Sequence, residues 1–416
     1  MLRIFHTADW HLGQTFHNYD REYEHGRFLA WLLERIAERK PDALVIAGDV
    51  FDSINPPATA QNQYYGFLAE ALAVHPALQV VVTAGNHDAA ARLEASGPVL
   101  QRMNIHVVGT VNDGVREEND YSKFTIPLKN ASGKVEAIAL AIPYLRMSDL
   151  PHMPEEKDGY TAGVREFYKR ATEYAAALRD RSHPGAALCA LGHCHMQDGA
   201  VSEGSERSLV IGGLESLQAD AFPAALQYVA LGHLHKPQSL DHGRVRYCGS
   251  PVPLSFSERG YPHQILEVTF EGGRLVDVNP LPIPRTVELI RLPRGNAVPL
   301  AELIEVLGSE PFDLELPQEK HPFLEVRYLE DSPDPTRRHQ LEQALAGKPV
   351  RLASIKPEPP NAPKNGSMEP DMAGFADLHT VDPSRVFAAA FREAYDTEPD
   401  LELMGAFNEI LSEVAK

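Results

Sequence analysis

The sequence has few cysteines, little basic charge and no long apolar run. Only Cys189, Cys194 and Cys248 occur among 416 residues, and no two are spaced as a Cys-x-x-Cys pair. This excludes a structural zinc site built on paired thiolates. A sparse, odd count suits a reducing compartment. No stretch approaches the roughly 20 apolar residues that a membrane-spanning helix needs. The opening, MLRIFHTADWHLG, has no basic segment followed by an apolar one, so no signal peptide is expected and the chain reads as soluble and cytoplasmic. Lysine and arginine number 39 against 58 aspartate and glutamate, a net charge of −19. That balance argues against a nucleic-acid binder working through a basic surface. It leaves room for an enzyme whose metal ions supply local positive charge, and it points to a partner that helps hold any polyanionic substrate.

The composition is that of a folded chain, 43% hydrophobic and 23% charged. A single core stops growing at roughly 250–300 residues, so one large domain plus something smaller is expected. Short apolar runs recur at Leu2–Phe5, Ala43–Ala47, Gln79–Val82, Ala137–Ile142, Ala186–Leu191 and Tyr228–Leu231. Their length and β-branched content suit buried strands. Between the first two, Phe28, Leu29, Leu32, Leu33 and Ile36 form one helical stripe. Strand–helix–strand alternation implies an α/β layered fold. Near Ile283 the texture changes. Helices over 300–307 and 335–345 and strands over 323–328 and 350–355 make a small α+β domain. KPEPPNAPKNGSMEP then reads as a linker. The expected divisions are 1–283, 284–355, a linker over 356–380 and a helical tail over 381–416.

Five of the six runs lead into polar residues of metal-ligand type. The first leads to Asp9 and His11, the second to Asp49, and the third to Asn86, His87 and Asp88. The fifth leads to His193, and the sixth to His233 and His235. In open α/β sheets, ligands bind beyond the carboxyl ends of the strands, so these distant segments are predicted to share one rim. Asp9/His11 and His233/His235 are i, i+2 pairs, which in extended chain point the same way. Glycines precede Asp49, Asn86, His193 and His233 and permit close backbone approach. Taken singly the pieces are weak, since Gly-Asp is usually a turn and a Gly-His-x-His can be core. Their joint occurrence, each after a buried strand, is specific.

Carboxylate, amide and imidazole donors without thiolate suit a fairly hard divalent ion such as Mn²⁺. A carboxylate between two histidine-rich groups points to a bridging ligand and two ions about 3.5–4 Å apart. His87 is then free to stabilise the transition state or protonate the leaving oxygen, with Asp88 orienting its ring.

Asp-x-His, Gly-Asp, Gly-Asn-His-Asp, Gly-His and Gly-His-x-His resemble the motif series of the calcineurin-like metallophosphoesterases. TADWHLGQTF, AGDVFDSINPP, TAGNHD, ALGHLHKPQ and RYCGSPVPLSFSE are similar to the SbcD branch of that superfamily, most strongly over Met1–Glu258. The resemblance implies a two-sheet sandwich flanked by helices, a small DNA-contacting capping domain and partner-binding helices in the tail. It implies one metal held by Asp9, His11, Asp49 and His235, and the other by Asp49, Asn86, His193 and His233, with His87 as the catalytic histidine. Asp52 takes a supporting place behind the ligands, and His195 is left out of the set. The activity implied is Mn²⁺-dependent DNA cleavage, exonucleolytic on duplex ends and endonucleolytic on single strands or hairpins. A homodimer would work with an SbcC-type coiled-coil ATPase in DNA repair and recombination, at the nucleoid. The alternative is a phosphatase or cyclic-nucleotide phosphodiesterase on the same dinuclear site. Phosphatases of this kind carry Asp-Arg-Gly after the second motif, where this chain has Asp52-Ser53-Ile54.

Lesser features carry lesser expectations. Tyr64, Tyr65, Phe67, Leu68 and Leu72 form an apolar cluster read as core or, by resemblance, as a dimer contact. Cys194 reads as a buried filler. Arg337 and Arg338 read as a solvated helix face, with phosphate contact as the alternative. In the tail, Asp382-Pro383 is an N-cap followed by proline. Val386, Phe387, Ala390, Phe391 and Ala394 make one stripe, and Leu403, Met404, Phe407, Ile410, Leu411 and Val414 a second, expected to dock on a partner helix.

Overall fold

Residues that alternate along one strand enter two different cores. In the computed structural model Ala43, Val45 and Ala47 join one buried cluster, while Leu44 and Ile46 between them join another. Val81 against Val80 and Val82, and Ile4 against Phe5, divide in the same way. Successive strand side chains point to opposite faces, so an unbroken apolar run marks a strand covered on both sides. The structure describes residues 1–111, 120–151, 153, 159–197, 199–202, 216–330 and 336–359, with Phe387, Phe391, Arg392, Thr397, Leu403, Met404 and Phe407 beyond them.

In chain order the elements begin with β1 (Leu2–Thr7), β2 (Thr15–Phe16), β3 (Tyr19–Asp20), α1 (Glu22–Arg39), β4 (Ala43–Ala47), α2 (Ala58–Val74) and β5 (Gln79–Thr83). There follow α3 (Ala90–Glu94), α4 (Gly97–Leu100), β6 (Ile105–Val108), β7 (Thr125–Lys129), β8 (Val135–Ala141) and α5 (Gly159–Ser182). Next come β9 (Ala187–His193), β10 (Tyr228–Gly232), β11 (Gln238–Leu240), β12 (Val245–Tyr247), β13 (Gln264–Glu271) and β14 (Arg274–Pro282). The series closes with β15 (Leu289–Leu292), β16 (Val298–Pro299), α6 (Leu300–Ser309), β17 (Phe323–Leu329), α7 (Arg337–Ala344) and β18 (Arg351–Glu358).

Two six-stranded sheets result, ordered β14-β13-β1-β4-β5-β6 and β11-β12-β10-β9-β8-β7. The β1-β4-β5-β6 and β8-β9-β10-β12 pairings are all parallel. Outer strands β13, β14, β7 and β11 run antiparallel to their neighbours. One core lies between the sheets and continues to Val164, Phe167 and Tyr168 of α5. The other lies under Phe28, Leu32 and Ile36 of α1 and Tyr64, Phe67 and Leu68 of α2. Glu22 and Glu24 in the first turn of α1 and Arg39 in its last suit the helix dipole. The two-sheet sandwich flanked by helices thus stands as expected. All three cysteines are free and buried, and burial pushes the Cys189 and Cys194 thiols up to about 12.

The chain divides into two compact units. The first comprises Met1–Ile290, Phe312–Glu325 and Pro349–Ser354, and the second Arg291–Pro311, Val326–Lys348 and Ile355 onward. Strands β15, β17 and β16 lie side by side, with β18 on β17. In the second unit Leu303 and Leu307 of α6 and Leu341 of α7 are buried. Strand β18 runs to Glu358, into the expected linker at 356–380, and the Glu358 carbonyl accepts from the Glu330 N–H at 2.8 Å. Pro357 is tolerated there because β18 is an edge strand. Arg337 is not on a solvated face: it is buried, donates to the Tyr328 hydroxyl at 3.0 Å and pairs with Glu330. Arg338 is exposed and pairs with Glu342 at 2.9 Å. Most of the tail lies outside the described residues, but the rings of Phe387 and Phe407, one from each predicted stripe, stack at 4.2 Å. Among the described residues no helix is long and apolar enough to cross a membrane.

Candidate metal centre

The carboxyl ends of β1, β4, β5, β9 and β10 meet at one rim of the first unit, bringing the predicted side chains together. Asp9, His11, Asp49 and His233 all take left-handed backbone conformations, with φ of 55°, 45°, 48° and 101°. Four non-glycine residues in that region within one site are a store of strain of the kind that gathers at functional sites. Tight packing explains two glycines. A Cβ on Gly48, whose φ is +88°, would collide with the His193 ring, and one on Gly85 with the Asp49 carboxylate.

Asp49 stands at the centre. Its Oδ2 lies 3.5 Å from His11 Nε2 and 3.3 Å from His193 Nε2. Its Oδ1 accepts the His87 N–H at 2.8 Å. Asn86 Oδ1 lies 3.0 Å from His193 Nε2 and 3.2 Å from His233 Nδ1. Ligand-type atoms of Asp9, His11 and His235 cluster within 4.8 Å of one another, as do those of Asp9, Asp49 and His193, and those of His11, Asp52 and His87. Asp9 and Asp49 therefore bring carboxylates to the same centre as four histidines and an amide.

Hydrogen bonds fix which ring nitrogens face inward. His193 donates Nδ1–H to the Ala47 carbonyl at 2.9 Å, and His11 Nδ1 lies 3.1 Å from Asp52 Oδ1. His235 Nδ1 lies 3.0 Å from Glu258 Oε1. In each case Nε2 is left to point into the centre, the arrangement by which outer carboxylates and carbonyls orient metal-binding histidines. Among the described residues Asp9 Oδ2 and His11 Nε2 find no hydrogen-bond partner, and both are buried. Buried polar atoms are rarely left so, and hard donors aimed at a common point fit divalent cations.

The electrostatics agree. Burial, with the Asp49 charge adding to it, pushes Asp9 up to about 6 despite the surrounding histidines. Burial works against ionised Asp49 too, but His193, His11 and His87 outweigh it and hold that carboxyl well below its usual range. His193 is raised to about 9, because Asp49 and Asp9 overcome the penalty of burial. The same carboxylates that raise His193 favour any positive charge placed between them.

One placement differs from expectation, and two residues were missed. Asp88 does not orient the His87 ring. Its carboxylate accepts the backbone N–H groups of Gly85 and Phe51 at 2.9 Å each and of Val50 at 3.2 Å. His87 Nδ1 donates to the Asp52 carbonyl at 2.8 Å instead. The Asp88 carboxylate is taken up by the donors of its own loop and of the facing Val50–Phe51 backbone, away from the neighbouring ring. His195 is half-buried with its ring 6.2 Å from that of His233, and it falls in none of the three ligand clusters among the described residues. Glu258, missed from the sequence, was visible only as the last letter of RYCGSPVPLSFSE. Tyr144 was also missed; it follows the one strand run without a ligand set, and its ring stands edge-on to His193 at 6.3 Å. Of the apolar cluster on α2, Tyr64, Phe67 and Leu68 are core, whereas Tyr65 is 37% exposed.

Two parallel-cored sheets carrying a carboxylate, amide and imidazole cluster at the strand ends define a metal-dependent phosphoester hydrolase, and residues 2–237 match the calcineurin-like phosphoesterase family. Residues 285–395 match a second family, described as the Type 5 capsule protein repressor C-terminal domain. Among curated relatives, the SbcD component of the nuclease SbcCD of Rhodobacter capsulatus is 40% identical over 395 residues, 94% of either chain. The SbcD component of Escherichia coli is 34% identical over 73% of this chain and 74% of its own. That of Bacillus subtilis is 35% identical over 65% and 67%. The chain belongs to the SbcD family of calcineurin-like phosphoesterases.

Proposed function

We propose that this chain is the DNA nuclease subunit of an SbcCD-type complex, hydrolysing phosphodiester bonds at the rim centred on Asp49. The observation that carries the reading is that the ligand-type atoms of Asp9, His11, Asp49, His193 and His235 fall in overlapping clusters, with Asn86 Oδ1 beside His193 and His233. They do so in a chain aligned over 94% of its length with a component of a nuclease. One cation is assigned to Asp9, His11, Asp49 and His235, and the other to Asp49, Asn86, His193 and His233. The donor set suits Mn²⁺. A bound pair of divalent ions supplies positive charge to the phosphoryl oxygens and acidifies an attacking water.

The chain's own groups do the rest. Asp49 lies between the two donor sets and fixes their spacing. His87, held through Nδ1 by the Asp52 carbonyl, presents its other ring face and Nε2 as the proton-carrying or charge-stabilising group for the leaving oxygen. Asp88 gathers the Gly85 loop onto the Val50–Phe51 backbone and so places Asn86 and His87.

The partners follow the same reading: DNA as substrate, an SbcC-type coiled-coil ATPase docked on the 381–416 tail, a second copy of this chain, and a cytoplasmic, nucleoid-associated setting. For the homodimer, Ile54, Tyr65 and Val99 are exposed large hydrophobic side chains. Arg92 donates to the Ile54 carbonyl at 3.0 Å and the Tyr65 hydroxyl reaches Ser96 at 3.4 Å. The test is cleavage of a hairpin DNA with Mn²⁺, with and without the ATPase. Mn²⁺-dependent cleavage stimulated by the ATPase is expected. Turnover of a phosphomonoester with no cut in any DNA, ATPase present, would transfer the site to the phosphatase reading.

A further inference from the structure

The two cation positions have different surroundings. On one side stand Asp9 and Asp49, both carboxylates, with two histidines each backed by a further carboxylate. His11 Nδ1 lies 3.1 Å from Asp52 Oδ1, and His235 Nδ1 lies 3.0 Å from Glu258 Oε1. On the other side Asn86, a neutral amide, stands where Asp9 stands in the first set. There His193 Nδ1 donates to the neutral carbonyl of Ala47 at 2.9 Å, and the nearest carboxylate oxygen to that nitrogen, Asp9 Oδ1, stands farther off at 3.9 Å.

Glu258 is the stronger of the two backing groups because water does not reach it. Its side chain is 0% exposed, against 34% for that of Asp52. The carboxylate is built in from several directions. Its Oε2 accepts the Leu254 N–H at 2.8 Å and the Ser250 hydroxyl at 3.3 Å. Leu254 and its neighbour Pro253 are themselves fixed. The Pro253 carbonyl accepts from buried Arg21 at 2.5 Å, and Arg21 is locked by Glu24 and Gln14. A carboxylate held this way can shift little, so the His235 ring it grips can shift little.

We propose that Glu258 is a positioning residue that orients His235 and raises its basicity. With Asp52 behind His11, it makes the Asp9/His11/Asp49/His235 position the tighter of two unequal cation sites. A carboxylate behind an imidazole fixes its tautomer and strengthens it as a donor, and its loss typically weakens metal binding by 10- to 100-fold. The second position, with one carboxylate fewer, is the exchangeable one, so catalytic competence tracks the filling of the weaker site. This rests on the dinuclear reading of the centre but not on DNA being the substrate.

The test is a Mn²⁺ titration of the purified full chain, with free ion followed by electron paramagnetic resonance. Wild type should bind one ion tightly and a second more weakly. Glu258→Gln should weaken the tight step by about 10- to 100-fold and leave the weaker one in place. Asp52→Asn, at a partly exposed position that tolerates change, should weaken the same step by less. Ser250→Ala removes one bond to Glu258 while keeping the carboxylate on His235, and should weaken the tight step by less than Glu258→Gln does. Two equal affinities in wild type, or both variants weakening both steps alike, would overturn the proposal. Unequal binding by a chain that cuts no DNA would support it while removing the nuclease reading.

Discussion

At the scale of the residue, the centre separates groups that hold charge from groups that hold shape. His87 contacts the Asp52 carbonyl through its ring and Asp49 through its N–H, and its assigned role is proton transfer or charge stabilisation. His87→Ala should therefore keep both ions and lose at least about 10² in turnover, read as single-turnover hairpin cleavage beside Mn²⁺ binding. A metal-loaded variant with normal turnover would remove that role. Asp88 lies on the shape side. Its buried carboxylate receives three backbone N–H groups, and Asp88→Ala leaves them without an acceptor. A loss of roughly 3 kcal/mol in urea unfolding, measured with chelator present, is expected. The sequence made the segments that meet at the rim legible, because each followed a strand, and Asp49, Asn86, His193 and His233 a glycine as well. It could not distribute second contacts among Asp52, Asp88 and Glu258. Those depend on which loop folds against which, and Glu258 reaches His235 across 23 residues of chain.

At the scale of the element, apolar texture located six buried strands but passed over β13, which lies inside the first sheet between β14 and β1. The six predicted strands all form, because a strand covered on both faces is dominated by apolar residues. Hairpin β2–β3 and margin strands β6, β7, β11 and β12 are short or half-exposed and carry no such mark. At the margin between the sheets, Glu94 at the end of α3 bonds Lys123 at 2.7 Å and the Thr110 N–H at 2.7 Å. Burial alone would raise its carboxyl, but these partners outweigh it and hold it below the ordinary 4.5. A depressed folded value means stability present above the unfolded value and lost as pH falls through the folded one. Glu94→Gln should thus unfold more easily than wild type at neutral pH, and the gap should close as acid protonates Glu94. A gap that persists into acid would show that shape, not charge, is what the substitution removes.

At the scale of the whole molecule, a chain of net charge −19 must meet a polyanion. Counterion release needs lysine and arginine at phosphates, so the isolated chain should bind DNA weakly and gain tight binding only with the ATPase, as a filter-binding salt series would read. From Gly366 onward three lysines and arginines face eleven aspartates and glutamates. The groove that receives the tail should accordingly have a basic border. Truncation at Gly366 is expected to leave Mn²⁺-dependent cleavage intact and to abolish co-purification with the ATPase. Asp49 lying between two cations is the central claim for the function of this chain. Equilibrium dialysis against Mn²⁺ measures this directly. Wild type should retain two ions per chain and Asp49→Ala at most one, with cleavage lost; an Asp49→Ala chain that still holds two ions and cuts at the wild-type rate would contradict it.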